Sequence, residues 1–169
     1  MKIALTVLFL GASAFAQSQP AAVTDACGPK DVTFDVKQDN SQHALVQPEV
    51  GKARVYIIQQ NNAICFLVGC ITKIGMDGAW VGAFKANSWF SVSVDPGEHH
   101  ACVTVQGISG LGDQKVYTHF IAEAGKVYYL GTRAMQTGGY IGLDFGTIDS
   151  DEAKYLIATF PRSVSQPKK

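Results

Sequence analysis

His99 and His100 stand side by side and are the groups in this sequence best suited to moving a proton or holding a metal. Imidazole changes charge near neutral pH, and its ring nitrogens are common metal ligands. Neighbours on a strand point to opposite faces. His99 therefore falls in phase with Ala101 and Val103, and His100 with Cys102 and Thr104. One ion cannot easily be chelated by both. The expectation is two structural histidines, one buried with a hydrogen-bond partner and one at the surface, with no metal and no cofactor. A metal site on His99, His100 and His119, with or without His43, would need distant residues to converge.

Other chemistries find less support. No G-x-S-x-G nucleophile turn occurs, and Ser109 in Gly107-Ile108-Ser109-Gly110 reads as a flexible loop. No glycine-rich stretch ends in Gly-Lys-Ser or Gly-Lys-Thr, so there is no phosphate loop. Asp144, Asp149, Asp151 and Glu152 could pair as acid and base, but the last three sit where a helix start draws acidic side chains. No catalytic constellation emerges, and the chain reads as no enzyme.

The four cysteines are Cys27, Cys65, Cys70 and Cys102. An even number in an exported chain suggests two disulfides. Five residues apart on a straight strand, Cys65 and Cys70 would face opposite sides. They can bridge only if Gly69 marks a turn or bulge. The preferred set is Cys65–Cys70 with Cys27–Cys102, the second pinning the N-terminal segment to the core. Zinc is disfavoured, because tetrahedral thiolate sites usually carry two close-spaced pairs.

The aromatics allow two readings. Trp80, Phe84, Trp89, Phe90, Tyr117, Tyr128, Tyr129 and Tyr140 are too many for one small core face. Trp89 is out of phase with Phe90, Val92 and Val94. It could face outward and, with Trp80, Tyr128 and Tyr140, form a patch that binds a glycan or small ligand. Alternatively, the excess forms a second buried face under a C-terminal helix, which is the favoured account.

The elements that must position these groups are mostly strands. Val32–Val36 alternates apolar with polar and could open the fold. From Ala53 onward, β-branched and aromatic runs alternate with turn signals at Asp77-Gly78, Asp95-Pro96-Gly97, Glu123-Ala124-Gly125 and Thr137-Gly138-Gly139. One helix follows, capped near Asp149 or Ser150 and ended by Pro161, with Glu152 at the spacing of a capping-box variant. The expected fold is mainly β: an antiparallel β-sandwich or partial barrel of about seven to nine strands with one short C-terminal α-helix. Residues 17–51 form an arm and first strand, 52–160 the sandwich with its helix, and 161–169 a polar tail.

Residues 1–16 read as an address. Lys2, the apolar run Ile3–Leu10 and Ala14-Phe15-Ala16 have the anatomy of a secretory signal peptide cleaved after Ala16. Its apolar run is far short of the roughly 20 residues a membrane span needs. The full chain has 169 residues, with 14 Lys and Arg against 14 Asp and Glu. Cleavage removes Lys2 and leaves 153 residues with 13 basic and 14 acidic groups, a net charge of −1. Arg54, Arg133 and Arg162 are its only arginines. Nucleic-acid binding, which needs many phosphate-neutralising cations, is excluded as an expectation.

Four ordered segments carry a resemblance: Lys52-Ala53-Arg54-Val55-Tyr56, Ile74–Gly82, Pro96-Gly97-Glu98-His99, and Glu123-Ala124-Gly125-Lys126-Val127-Tyr128-Tyr129. Together they resemble the bacterial domain of unknown function 2846 family, over about residues 52–160. The resemblance implies a small β-rich domain that is exported or lipid-anchored, and it transfers no catalytic residues. The expected function is a non-catalytic structural or interaction module of the cell envelope, periplasmic or extracellular. A glycan or envelope protein is the partner class to test, and a glycan- or small-ligand-binding protein is the alternative.

Overall fold

The computed structural model describes residues 25–41, 44–60, 69–106, 114–137 and 140–168, without the side chains of 134–141. The expected leader at 1–16, His43, Cys65 and Ser109 lie outside the described residues. Ten strands and one helix appear in the order β1 (Phe34–Asp39), β2 (Ala53–Gln60), β3 (Ile71–Met76), β4 (Ala79–Phe84), β5 (Ser88–Val94), β6 (Gly97–Gln106), β7 (Val116–Ala122), β8 (Val127–Thr137), β9 (Tyr140–Thr147), α1 (Ser150–Thr159) and β10 (Arg162–Pro167).

The strands form two sheets. A six-stranded sheet runs β1-β10-β5-β2-β8-β9, and a four-stranded sheet runs β4-β3-β6-β7. Alternation on each strand turns one apolar row inward. Val55 and Ile57 of β2, Phe90 of β5 and Leu130 of β8 meet Ile74 and Met76 of β3, Phe84 of β4, and Ala101 and Val103 of β6. This is the sandwich core expected from the sequence.

The six-stranded sheet is apolar on its other face too. Tyr56, Ile58 and Trp89 pack there against Ala153, Leu156 and Ile157 of α1. Asp149 caps the helix by accepting the N–H groups of Asp151 (2.8 Å) and Glu152 (3.2 Å). Glu152 directs its carboxylate elsewhere, to Gln60 Nε2 at 3.0 Å and Arg133 Nη2 at 2.7 Å.

The outer face of the four-stranded sheet is covered in part by residues 25–33. Cys27 and Cys102 are disulfide-bonded, with Cα atoms 5.5 Å apart. The arm lies so close that a Cβ on Gly75 would stand 2.6 Å from Cys27 Cα and 2.7 Å from the Ala26 carbonyl oxygen. Trp80 donates through Nε1 to the Pro29 carbonyl (2.8 Å), and Lys73 Nζ donates to the Val32 carbonyl (2.8 Å) while lying 4.2 Å from the Trp80 ring centroid. Cys70 is also disulfide-bonded; its expected partner, Cys65, is outside the described residues.

Two sequence expectations change. Most of the segment read as a polar tail is β10, which runs antiparallel to β1 from Arg162↔Asp39 to Pro167↔Phe34. Ten strands therefore stand among the described residues. The sheet is also mixed, because β2 pairs parallel with β8 and β10 makes one parallel pairing with β5. Residues 162–167 alternate small and polar side chains around an exposed Val164, so no apolar row announced a strand. Their partners are mainly backbone, with Ser163 Oγ 2.8 Å from Ser88 Oγ and Ser165 Oγ accepting from the Ala83 N–H at 3.0 Å.

Candidate functional site

One end of the sandwich gathers turns that are far apart in sequence. The β3–β4 turn holds Asp77 and Gly78 at φ 53° and 85°, the pair of positive values that a tight hairpin needs. The β5–β6 turn supplies Asp95, Pro96 and Gly97, and the β7–β8 turn supplies residues 123–126. Gly125 N–H donates to the Lys52 carbonyl (2.8 Å) and Arg54 N–H to the Lys126 carbonyl (3.0 Å), joining the β7–β8 turn to the start of β2. Lys52 Nζ reaches Asp95 Oδ1 at 3.0 Å. Glu49 accepts from Ser93 Oγ (2.7 Å) and Arg54 Nη2 (3.3 Å) on the same strand pair.

His99 ties two of these turns together. Its Nδ1 lies 2.6 Å from Asp77 Oδ2 and its Nε2 lies 2.7 Å from the Asp95 carbonyl oxygen. The ring stacks on Phe120, its cross-strand partner, at 5.4 Å between centroids. Burial opposes the charged imidazole, but the Asp95 carbonyl and the Asp77 carboxylate together outweigh it and raise the pKa of His99 above the usual 6.5. Asp77 also fixes the neighbouring backbone: its Oδ1 accepts the His100 N–H (2.9 Å), and its own N–H donates to the His100 carbonyl (2.9 Å).

His100 faces the other way, as its phase required. It pairs across β6–β7 with His119, and the two rings lie 6.2 Å apart on the outer face. Glu98, two residues earlier on the same face, places Oε1 3.6 Å from His100 Nε2. Two residues later comes Cys102, where the disulfide begins the region covered by the arm. The arm is fastened there by Asp25, which pairs with Lys115 and accepts from Tyr117 Oη (3.2 Å) and Cys27 N–H (3.1 Å). The Lys115 bond is the main reason the Asp25 carboxyl is held below its usual range. The trio named at first is thus divided: His100 and His119 come together, and His99 does not join them.

Among the described residues, Trp80, Trp89 and Tyr128 do not come together as a surface patch. Trp89 is 2% exposed beneath α1, with Nε1 donating to the Phe160 carbonyl at 3.0 Å. The outward reading is corrected: Trp89 joins Tyr56 and Ile58 in a second apolar layer, over which the helix lies. Trp80 packs under the arm, on the opposite side of the molecule from the helix layer. Tyr128 is half-buried against Phe120 (5.5 Å between centroids), and its hydroxyl accepts the Glu123 N–H at 2.9 Å. Tyr140 opens β9, and its side chain lies outside the described residues.

A polar cleft of about 210 Å³ between the β8–β9 pair and the start of α1 is lined by Arg133, Asp144, Asp149 and Glu152 among others. Arg133 is paired with Glu152 and Asp149 caps the helix. The sequence reading did not single out Asp77 or Asp95 as partners of His99. The signal was available in part, since both sit in turns already identified from Asp-Gly and Asp-Pro-Gly.

The family described as "Protein of unknown function (DUF2846)" matches residues 49–140, which contain all of the turns at this end of the sandwich. No curated protein and no solved structure matches the chain.

Proposed function

The chain belongs to the DUF2846 family of proteins of unknown function, and from that premise we propose that it is an exported, non-catalytic structural or interaction module of the cell envelope. The observation that carries this reading is the Cys27–Cys102 disulfide, which staples the segment following the leader-like residues to the outer face of a sheet. Disulfides persist in oxidising compartments and are rare in the cytosol. No helix among the described residues is long and apolar enough to cross a membrane.

Structural partners held by several polar groups support this reading. His99 joins two turns, Asp149 caps a helix, and Glu152 is held by Arg133 and Gln60. A buried Trp89 removes the centre of the surface patch on which glycan binding would rest. Expression of the full chain with its own leader, followed by fractionation and mass measurement, tests the proposal. The expected product lies outside the cytoplasm, lacks residues 1–16 and resists thiol labelling until reduced. A full-length cytoplasmic product with free thiols overturns export. A hydrolytic or transfer activity abolished by substituting one polar residue, with the fold intact, overturns the non-catalytic reading.

A further inference from the structure

We propose that Glu98, His100 and His119 form a surface site for a divalent transition-metal ion of the zinc type. The antiparallel register makes His100 and His119 direct partners, so both imidazoles leave neighbouring strands on the same face. Their rings lie 6.2 Å apart, and Glu98 Oε1 lies 3.6 Å from His100 Nε2. Two imidazole nitrogens and one carboxylate oxygen make a donor set suited to zinc and copper and poorly suited to magnesium or calcium.

The donor atoms of the three residues do not yet lie together, so a shared ion needs both rings turned toward one point, with zinc–nitrogen bonds of about 2.0–2.1 Å. Both rings lie at the surface, where rotation about their side-chain bonds supplies that turn. The carboxylate then completes three protein ligands and leaves a fourth position to water.

The backbone beneath the site is held on both sides. β6 is hydrogen-bonded between β3 and β7, and Asp77 clamps both the N–H and the carbonyl of His100. The ligands therefore sit on a rigid platform, which lowers the ordering cost of binding. His99 is excluded by direction and occupancy: it faces inward and both of its ring nitrogens already meet oxygen acceptors. The described arm residues are anchored by the disulfide at Cys102, the next outward position on β6 after His100. The site does not depend on the envelope reading and stands or falls separately.

The test uses the full chain without a polyhistidine tag, freed of metal by chelation and titrated calorimetrically with zinc chloride near pH 7.5. One zinc per chain is expected. His100→Ala and His119→Ala should each weaken it at least about tenfold. Glu98→Gln should weaken it less, and His43→Ala should leave it unchanged. In the unaltered chain, the ring-proton NMR signals of His100 and His119 should move before those of His99, which covers any variant that fails to fold. The proposal is overturned by no binding at about 1 mM zinc, a range where even weak complexes register. It is also overturned by unchanged affinity in both histidine variants, by dependence on His43, or by one zinc shared between two chains.

Discussion

His99 Nδ1 lies 2.6 Å from Asp77 Oδ2, and this contact adds a side-chain tie to the two bonds by which Asp77 joins the β3–β4 turn to the His100 backbone of β6. With Nε2 facing the Asp95 carbonyl at 2.7 Å, both ring nitrogens address acceptors, a pattern that only the doubly protonated imidazolium satisfies in full. The raised pKa has a direct consequence for stability. A group whose native pKa exceeds its unfolded value stabilises fully below the unfolded value of about 6.5. That contribution disappears as pH rises through the native value. Thermal unfolding followed from pH 5.5 upward should therefore show stability declining above about pH 6.5, and Asp77→Asn should flatten the decline. His99→Ala should cost about 1.5–3 kcal/mol at pH 6, the range for hydrogen bonds to charged groups. An imidazole titration for His99 below 6.5 by NMR would refute this account.

The Cys27–Cys102 bond spans 75 residues of sequence. Closing so long a loop restricts the unfolded chain, and such a bond typically stabilises by about 2–4 kcal/mol. Cys102→Ser should lower stability by that amount in urea. The inter-sheet core contains neither Cys27 nor Cys102, so the domain should still unfold cooperatively. Limited proteolysis should then cut within residues 25–33 first. A variant that loses all tertiary structure would show that the arm is required for the fold.

Gly75 is where the arm touches the sheet most closely. A Cβ there would lie 2.6 Å from backbone Cys27 Cα, an atom that cannot swing aside. Gly75→Ala should therefore displace the arm and destabilise by about 1–3 kcal/mol, the usual cost of overpacking. Faster reduction of Cys27–Cys102 should accompany it. Equal reduction rates in the variant and the parent would place the strain elsewhere.

What the sequence revealed about the fold follows how each element is stabilised. β5 and β6 bury apolar rows, so alternation exposed them; β2, buried on both faces, was legible as a β-branched and aromatic run, and Asp77-Gly78 exposed the hairpin because its φ values demand those residues. The opposite orientations of His99 and His100 were legible from strand phase alone. Trp89 was ambiguous because a second apolar face looks the same whether it meets solvent or a helix. The His100–His119 pairing was illegible, since cross-strand register depends on a loop whose length fixes no partner. The parallel β2–β8 pairing is likewise a matter of topology, with no local residue to mark it.

Trp89 offers a direct spectroscopic check on the helix layer. The chain has two tryptophans, so Trp80→Phe leaves Trp89 as the only reporter. Its emission should be blue-shifted and resist acrylamide quenching, as expected for an indole packed against Tyr56 at 5.7 Å and covered by α1. Cell-wall sugars should leave it unchanged. Trp89→Ala should cost about 3–5 kcal/mol, the range for truncating a buried aromatic. A solvent-like spectrum would return Trp89 to the surface and reopen the aromatic patch.

The C-terminal strand separates a tail from a structural element most sharply. If residues 162–169 were a solvated tail, truncation after Pro161 would change stability by no more than about 0.5 kcal/mol. In the observed sheet, β10 lies between β1 and β5 and is the only described strand paired with β1. Its loss also removes the Ser163 hydroxyl beside the buried Ser88 Oγ and the Ser165 hydroxyl that accepts the Ala83 N–H. With each lost hydrogen bond worth about 1 kcal/mol net, truncation should cost several kcal/mol and lower the urea midpoint clearly. Hydrogen exchange should then show β1 amides losing protection while β2, β3 and β6 retain theirs. Unchanged protection in β1 would mean that its stability comes from the arm side, through Phe34 N–H to Gln106 Oε1 at 2.8 Å, and not from the strand beside it.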